Sequence, residues 1–157
     1  MSMPHINYLY DYTVTVYIVN PDYKVLLVEH PKYGKWIPVG GHIELDEDPE
    51  DALYREVLEE TGLDIEVLSN KPYIESTGTK FLLTPNYVDV HEANAPHKHI
   101  SFTYFAKSNG GKFAISSEHS DMKWFDGDEL TKPEYRLSDA VKFYSKHAIE
   151  TARTFNL

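Results

Sequence analysis

At 157 residues, with 41% hydrophobic and 25% charged side chains, the chain reads as one globular domain over 1–157 and not as a disordered segment. A formal net charge of −10 with no basic stripe excludes duplex nucleic acid as a partner. The lack of cysteine excludes disulfides, thiolate ligands and a cysteine nucleophile; with no apolar run long enough to span a membrane, and no basic n-region or apolar h-region in MSMPHINYLY, it makes a soluble cytoplasmic protein the expectation.

In chain order, TVTVYIVN (13–20) alternates Val14, Val16 and Ile18 against Thr13, Thr15 and Tyr17, the pattern of a half-buried strand. Asn20-Pro21-Asp22 supplies a turn, and KVLLVEH (24–30) follows as the hairpin partner. WIPVGGH (36–42) is a short apolar strand running into two glycines, which permit positive φ or a close approach to a ligand. Asp48-Pro49 opens a helix with a capping side chain and proline at its first position; it runs over 49–61 and stops at Gly62. LDIEVLS (63–69), KPYIESTGTKFLLTP (71–85), NYVDVHE (86–92) and HKHISFTYFAK (97–107) read as strands with loops. Asn109-Gly110-Gly111 turns into KFAISS, and DMKWFDGDEL holds the last strand. From Leu137 to Ala152, apolar residues fall at helical spacing. Many strands, a central helix and a terminal helix predict an α/β (α+β) fold with its sheet between helices.

The acidity is local. Residues 41–63, GHIELDEDPEDALYREVLEETGL, hold nine of the 25 acids and one of the 15 bases, leaving sixteen acids against fourteen bases elsewhere. Glu56, Glu59 and Glu60 are related by i+3 and i+4 and fall within about a third of the helix circumference. They border an apolar arc of Leu53, Tyr54, Val57 and Leu58, with Arg55 outside the cluster and placed to brace Glu47. A solvated face would lie opposite the apolar stripe and be laced with lysines, and this helix has none. Clustered carboxylates beside a core protonate, pair or bind cations, and a hard ion such as Mg²⁺ or Mn²⁺ suits oxygen donors. A calcium EF-hand is excluded, because its alternating loop is missing and Pro49 interrupts the run.

These residues carry the pattern G-x5-E-x7-R-E-U-x-E-E-x-G-U, with U a bulky aliphatic, at Gly41, Glu47, Arg55, Glu56, Val57, Glu59, Glu60, Gly62 and Leu63. Its seven fixed identities match a random window about once in 10⁸. The segment resembles the signature of the Nudix hydrolases, and WIPVGG resembles the family's W-x-x-P-G-G approach with Pro38 one place early. The resemblance implies an α/β/α sandwich with a mixed β-sheet between helices. It implies metal-dependent hydrolysis of a diphosphate linkage in a nucleoside diphosphate joined to a moiety X. Glu56, Glu59 and Glu60 would be the Mg²⁺ or Mn²⁺ ligands, joined by the Gly41 carbonyl, while Glu47 and Arg55 orient them. A further downstream acid fits Glu118, six residues before Trp124, with Asp121 in reserve; Glu56, Glu118 or a histidine such as His119 would take the proton.

His91, His97 and His99 match no zinc spacing and read as solvated loop histidines in preference to zinc or phosphate ligands. Tyr33 and Trp36 read as core or rim aromatics before base-stacking ones. The residues that the resemblance associates with NADH, ADP-ribose, diadenosine polyphosphate and coenzyme A hydrolysis are missing. A nucleoside triphosphate, oxidised forms included, is left as the leading substrate. The alternatives are a nucleotide-binding module without turnover, a hydrolase of a nucleotide sugar or ADP-ribose, and an acidic helix that binds no metal. Many relatives are dimers, which makes a homodimer the expectation.

Overall fold

A computed structural model describes residues 8–32, 34–109 and 121–155. β1 (Tyr10–Val19) and β2 (Val25–His30) form the expected antiparallel hairpin, with Val19 opposite Val25. The Asn20 side chain closes the turn by accepting from the Asp22 and Lys24 N–H groups. The apolar run 36–42 is two strands, β3 (Lys35–Ile37) and β4 (Val39–His42). Pro38 lacks an N–H and interrupts the ladder there, so β3 pairs with β2 and β4 with β1.

Helix α1 (Pro49–Thr61) starts and stops where its caps require. Asp48 accepts from the Asp51 N–H, Asp51 accepts from the Asp48 N–H, and Gly62 ends the helix at φ 68°. β5 (Ile65–Val67) follows, then a long connection to β6 (Tyr87–Glu92), β7 (Lys98–Ser108), β8 (Asp121–Phe125) and α2 (Asp139–Thr154). The strands expected within 71–85 do not form; a single isolated bridge, Ser76 with Thr79, is all that the segment contributes to pairing.

One mixed sheet results. β1 and β7 run parallel over ten residue pairs, while the other pairings are antiparallel. Alternation along β1 divides the core into two layers. Val14, Val16 and Ile18 pack with Leu53 and Val57 of α1. Tyr17 and Val19 pack with Val141, Ala148 and Ile149 of α2. The fold is therefore an α/β sandwich with its mixed sheet flanked by helices. The apolar arc of α1 is narrower than its sequence suggests: Leu53 and Val57 are buried, but Tyr54 and Leu58 are 44% and 67% exposed. Burying the first two contributes about 1.5–3 kcal/mol each. Among the described residues, no helix is long and apolar enough to cross a membrane.

Candidate active site

Helix α1 lies against β4 and β1, which brings its glutamates to the two glycines of β4. Glu60 is on the buried face, only 3% exposed, and its Oε1 accepts from the Gly40 N–H at 3.2 Å. The Glu56 side chain is largely covered, and that of Glu59 is open to solvent. A Cβ at Gly41 would overlap the Glu56 carboxylate, and one at Gly40 would strike the Val14 carbonyl oxygen. Only glycine lets this strand approach so closely at both positions.

Arg55 lies within the cluster and not outside it, because its fork spans several carboxylates at once. Its Nε and Nη2 donate to Glu47 Oε2 and Oε1 at 2.6 and 2.8 Å. Nη1 donates to Glu56 Oε1 at 2.9 Å and to Glu59 Oε2 at 3.2 Å, and Nη2 also reaches the His42 carbonyl at 3.0 Å. The bidentate grip holds the Glu47 carboxyl below its ordinary range, and the carboxylates push the Arg55 guanidinium further up. Glu47 thus braces Arg55 as its spacing implies, and Arg55 in turn positions Glu56 and Glu59.

Three further acids of the segment have separate work. Asp48 and Asp51 cap the helix and pair with Lys80 at 2.6 and 3.7 Å, which lowers the Asp48 carboxyl and raises the Lys80 ammonium. Buried Glu50 accepts from the Leu83 N–H. These contacts tie the strandless connection to the start of α1.

On the opposite face of the sheet lies a cavity of about 640 Å³ between β1, β4, β6, β7 and the start of α2. Register explains the division: Gly41 pairs with Val14, which faces α1, and His42 pairs with Thr13, which faces the cavity. The cavity floor is a hydroxyl patch of Thr13, Thr15, Ser101 and Thr103. Thr15 and Ser101 share a hydrogen bond of 2.7 Å, whereas the buried Thr13 and Thr103 hydroxyls have no protein partner among the described residues. Phe143 and Tyr144 form an aromatic wall. Tyr144 donates to Asp89 Oδ2 at 2.7 Å; burial and that carboxylate push its phenol well up.

His91 and His99 are strand residues, on β6 and β7, and not loop residues. They line the cavity together with His42, which the sequence reading passed over. Trp36 packs edge-on against Phe125, with ring centroids 5.3 Å apart, and so belongs to the rim of the core. Asp121 opens β8 opposite Glu29. Glu118, His119 and Tyr33 lie outside the described residues.

Comparison with known proteins agrees with this arrangement. The model of the NUDIX domain matches residues 9–146. A MutT-like protein of Streptomyces ambofaciens is 30% identical over 124 residues, which are 79% of this chain and 69% of that protein. An oxidized purine nucleoside triphosphate hydrolase of Mus musculus is 31% identical over 97 residues, 62% of this chain and 53% of that protein. The crystal structure of a NUDIX-family hydrolase from Clostridium perfringens superposes with a TM-score of 0.77 at 30% identity, covering 90% of this chain and 97% of its own. A signature complete at every defined position, a sheet that seats it against β4 and a domain match over most of the chain converge on one assignment: this protein belongs to the Nudix family.

Proposed function

We propose that the protein is a divalent-metal-dependent pyrophosphohydrolase that cleaves a diphosphate linkage in a nucleoside diphosphate derivative, with nucleoside triphosphates, oxidised ones included, as its leading substrates. The observation that carries this reading is the packing of Glu60 against Gly40 and of Glu56 against Gly41, with Glu59 tied to Glu56 through Arg55. The donor set is all oxygen, and Gly41 leaves room where a side chain would fill the cradle. This fits Mg²⁺ or Mn²⁺. Glu56, Glu59 and Glu60, with the Gly41 carbonyl, would hold the ion. Once bound, it supplies Lewis-acid polarisation of a phosphoryl oxygen and a water of lowered pKa.

The chain's own residues do the rest. Arg55 fixes the rotamers of Glu56 and Glu59 from one guanidinium, and Glu47 holds that guanidinium by two bonds. Across β4, the Thr13 and Thr103 hydroxyls are buried donors and acceptors that a base edge can satisfy. Phe143 and Tyr144 offer it an apolar wall. The likeness to a mouse oxidized purine nucleoside triphosphate hydrolase supports the choice of substrate.

The test is a screen of nucleoside triphosphates and nucleotide diphosphate derivatives in Mg²⁺ or Mn²⁺, with products identified. Glu59→Gln is expected to lose about 10²–10³-fold in kcat with the fold retained, the equivalent of several kcal/mol of charge stabilisation. Absence of turnover on any substrate sinks the hydrolase reading in favour of a nucleotide-binding module.

A further inference from the structure

Four strands bring distant polar residues to one face of the sheet. In the β1–β7 ladder, Asp11 is in register with His99; in β6–β7, His91 is in register with His99; in β1–β4, His42 is opposite Thr13, two residues from Asp11. Paired residues share a face, and alternate residues of one strand do too. Asp11, His42, His91 and His99 therefore stand side by side at the mouth of the cavity, on the side of β4 away from the glutamates.

The distances make this more than a shared face. One ligand atom each from Asp11, His42 and His99 can be chosen so that all lie within 4.8 Å of one another. His42 Nε2 is 3.8 Å and His97 Nδ1 is 3.7 Å from Asp11 Oδ2. The His99 ring meets those of His42 and His91 edge to face, at centroid separations of 5.1 and 5.2 Å. His42 and His97 are about half exposed, so their side chains can rotate inward. Tetrahedral ligation at about 2.0–2.1 Å needs ligand atoms about 3.3 Å apart, a small closure from this starting point.

We propose that Asp11, His42 and His99 form a second divalent-metal site, of the imidazole–carboxylate class that takes Zn²⁺ in preference to Mg²⁺. Two borderline imidazole nitrogens beside one carboxylate oxygen differ from the all-oxygen glutamate cluster, and three protein ligands leave a coordination position open. His97 and His91 stand nearest to fill it. Metal binding needs a neutral imidazole. His91 is oriented from behind: its Nδ1 lies 2.8 Å from Asp89 Oδ1, and Asp89 is held by the Tyr144 hydroxyl. A carboxylate bonded at Nδ1 leaves the lone pair on Nε2, the outer-shell arrangement common to metal-ligating histidines. A phosphate subsite fits less well, because the Asp11 carboxylate stands among the rings and would repel the anion.

The proposal does not depend on hydrolytic activity. Tag-free protein, stripped with chelator, is titrated with Zn²⁺ against a chromophoric chelator in an excess of Mg²⁺. One tight equivalent is expected. His42→Ala/His99→Ala should abolish it, Asp11→Asn should weaken it about tenfold or more, and Glu56→Gln/Glu59→Gln should retain it. Co²⁺ substitution should give visible d–d bands that the histidine variant lacks. Circular dichroism confirms that each variant is folded, and Asp11→Asn, at a partly exposed position, stands in if the double variant is not. The proposal is overturned if wild type binds no stoichiometric Zn²⁺ under Mg²⁺, or if the equivalent survives His42→Ala/His99→Ala. It is equally overturned if the glutamate variant loses the equivalent, which would assign it to the carboxylate cluster. Zn²⁺-independent binding of inorganic phosphate that needs His42 and His99 would make the cluster an anion site instead.

Discussion

At the scale of the residue, Gly41 shows how a missing side chain can shape a site. The Glu56 carboxylate takes the space that a Cβ at Gly41 would occupy. Gly41→Ala is expected to push Glu56 out of line and reduce turnover about tenfold or more, with the melting temperature little changed. A steady-state assay beside a thermal melt checks this; wild-type turnover in the variant would remove Glu56 from the site. Gly41, Glu47, Arg55 and the three helix glutamates were legible in the sequence because they fall within 23 consecutive residues whose spacing is set by one helix and its approach. The reach of Arg55 to three carboxylates was not, since helical spacing gives its direction but not how its long fork folds back. Asp11, His42 and His99 were legible still less. They are joined only by strand register, and no local pattern in sequence carries that.

At the scale of the element, α1 was readable to the residue because its signals are local: Asp48, Pro49, Asp51 and Gly62 each act within a turn. The segment 71–85 misled because Tyr73, Ile74 and Phe81 have strand propensity, while a strand also needs a pairing partner, which local propensity does not supply. It is held instead by polar contacts, including Glu50 to Leu83 and Lys80 to Asp48. Asp48 therefore serves both the helix and the connection. Asp48→Ala is expected to cost about 1 kcal/mol at neutral pH, a typical cap loss. The sign with pH follows from the depressed Asp48 carboxyl, whose ordinary value is 3.8. Its contribution is present in full above that value and fades as pH falls through the lower, folded-state pKa. Urea denaturation of wild type and variant at neutral and at strongly acid pH should show the gap narrowing in acid; a constant gap would mean that the charge contributes nothing.

At the scale of the whole molecule, the sheet separates two kinds of chemistry by a single strand. β4 presents Gly41 to the glutamates of α1 on one side and His42 to the cavity on the other. Nine acids against one base in residues 41–63 concentrate the repulsion of a chain of net charge −10 beside α1. The proposed cation would act on folding as well as on chemistry, because a ligand held by the folded state alone stabilises it by mass action. At a hundredfold excess over its Kd, Mg²⁺ or Mn²⁺ contributes about 2.7 kcal/mol. For a domain of this size that raises Tm by about 5–10 °C. The rise should saturate, and Glu56→Gln/Glu59→Gln should lose most of it. Simple charge screening predicts something different: an equal rise from Na⁺ at matched ionic strength, and a smaller but unsaturated response in the variant. Thermal melts of both proteins in the three salts separate the two accounts, and a response to Na⁺ as large as that to Mg²⁺ would leave α1 a solvated acidic helix and not a cation site.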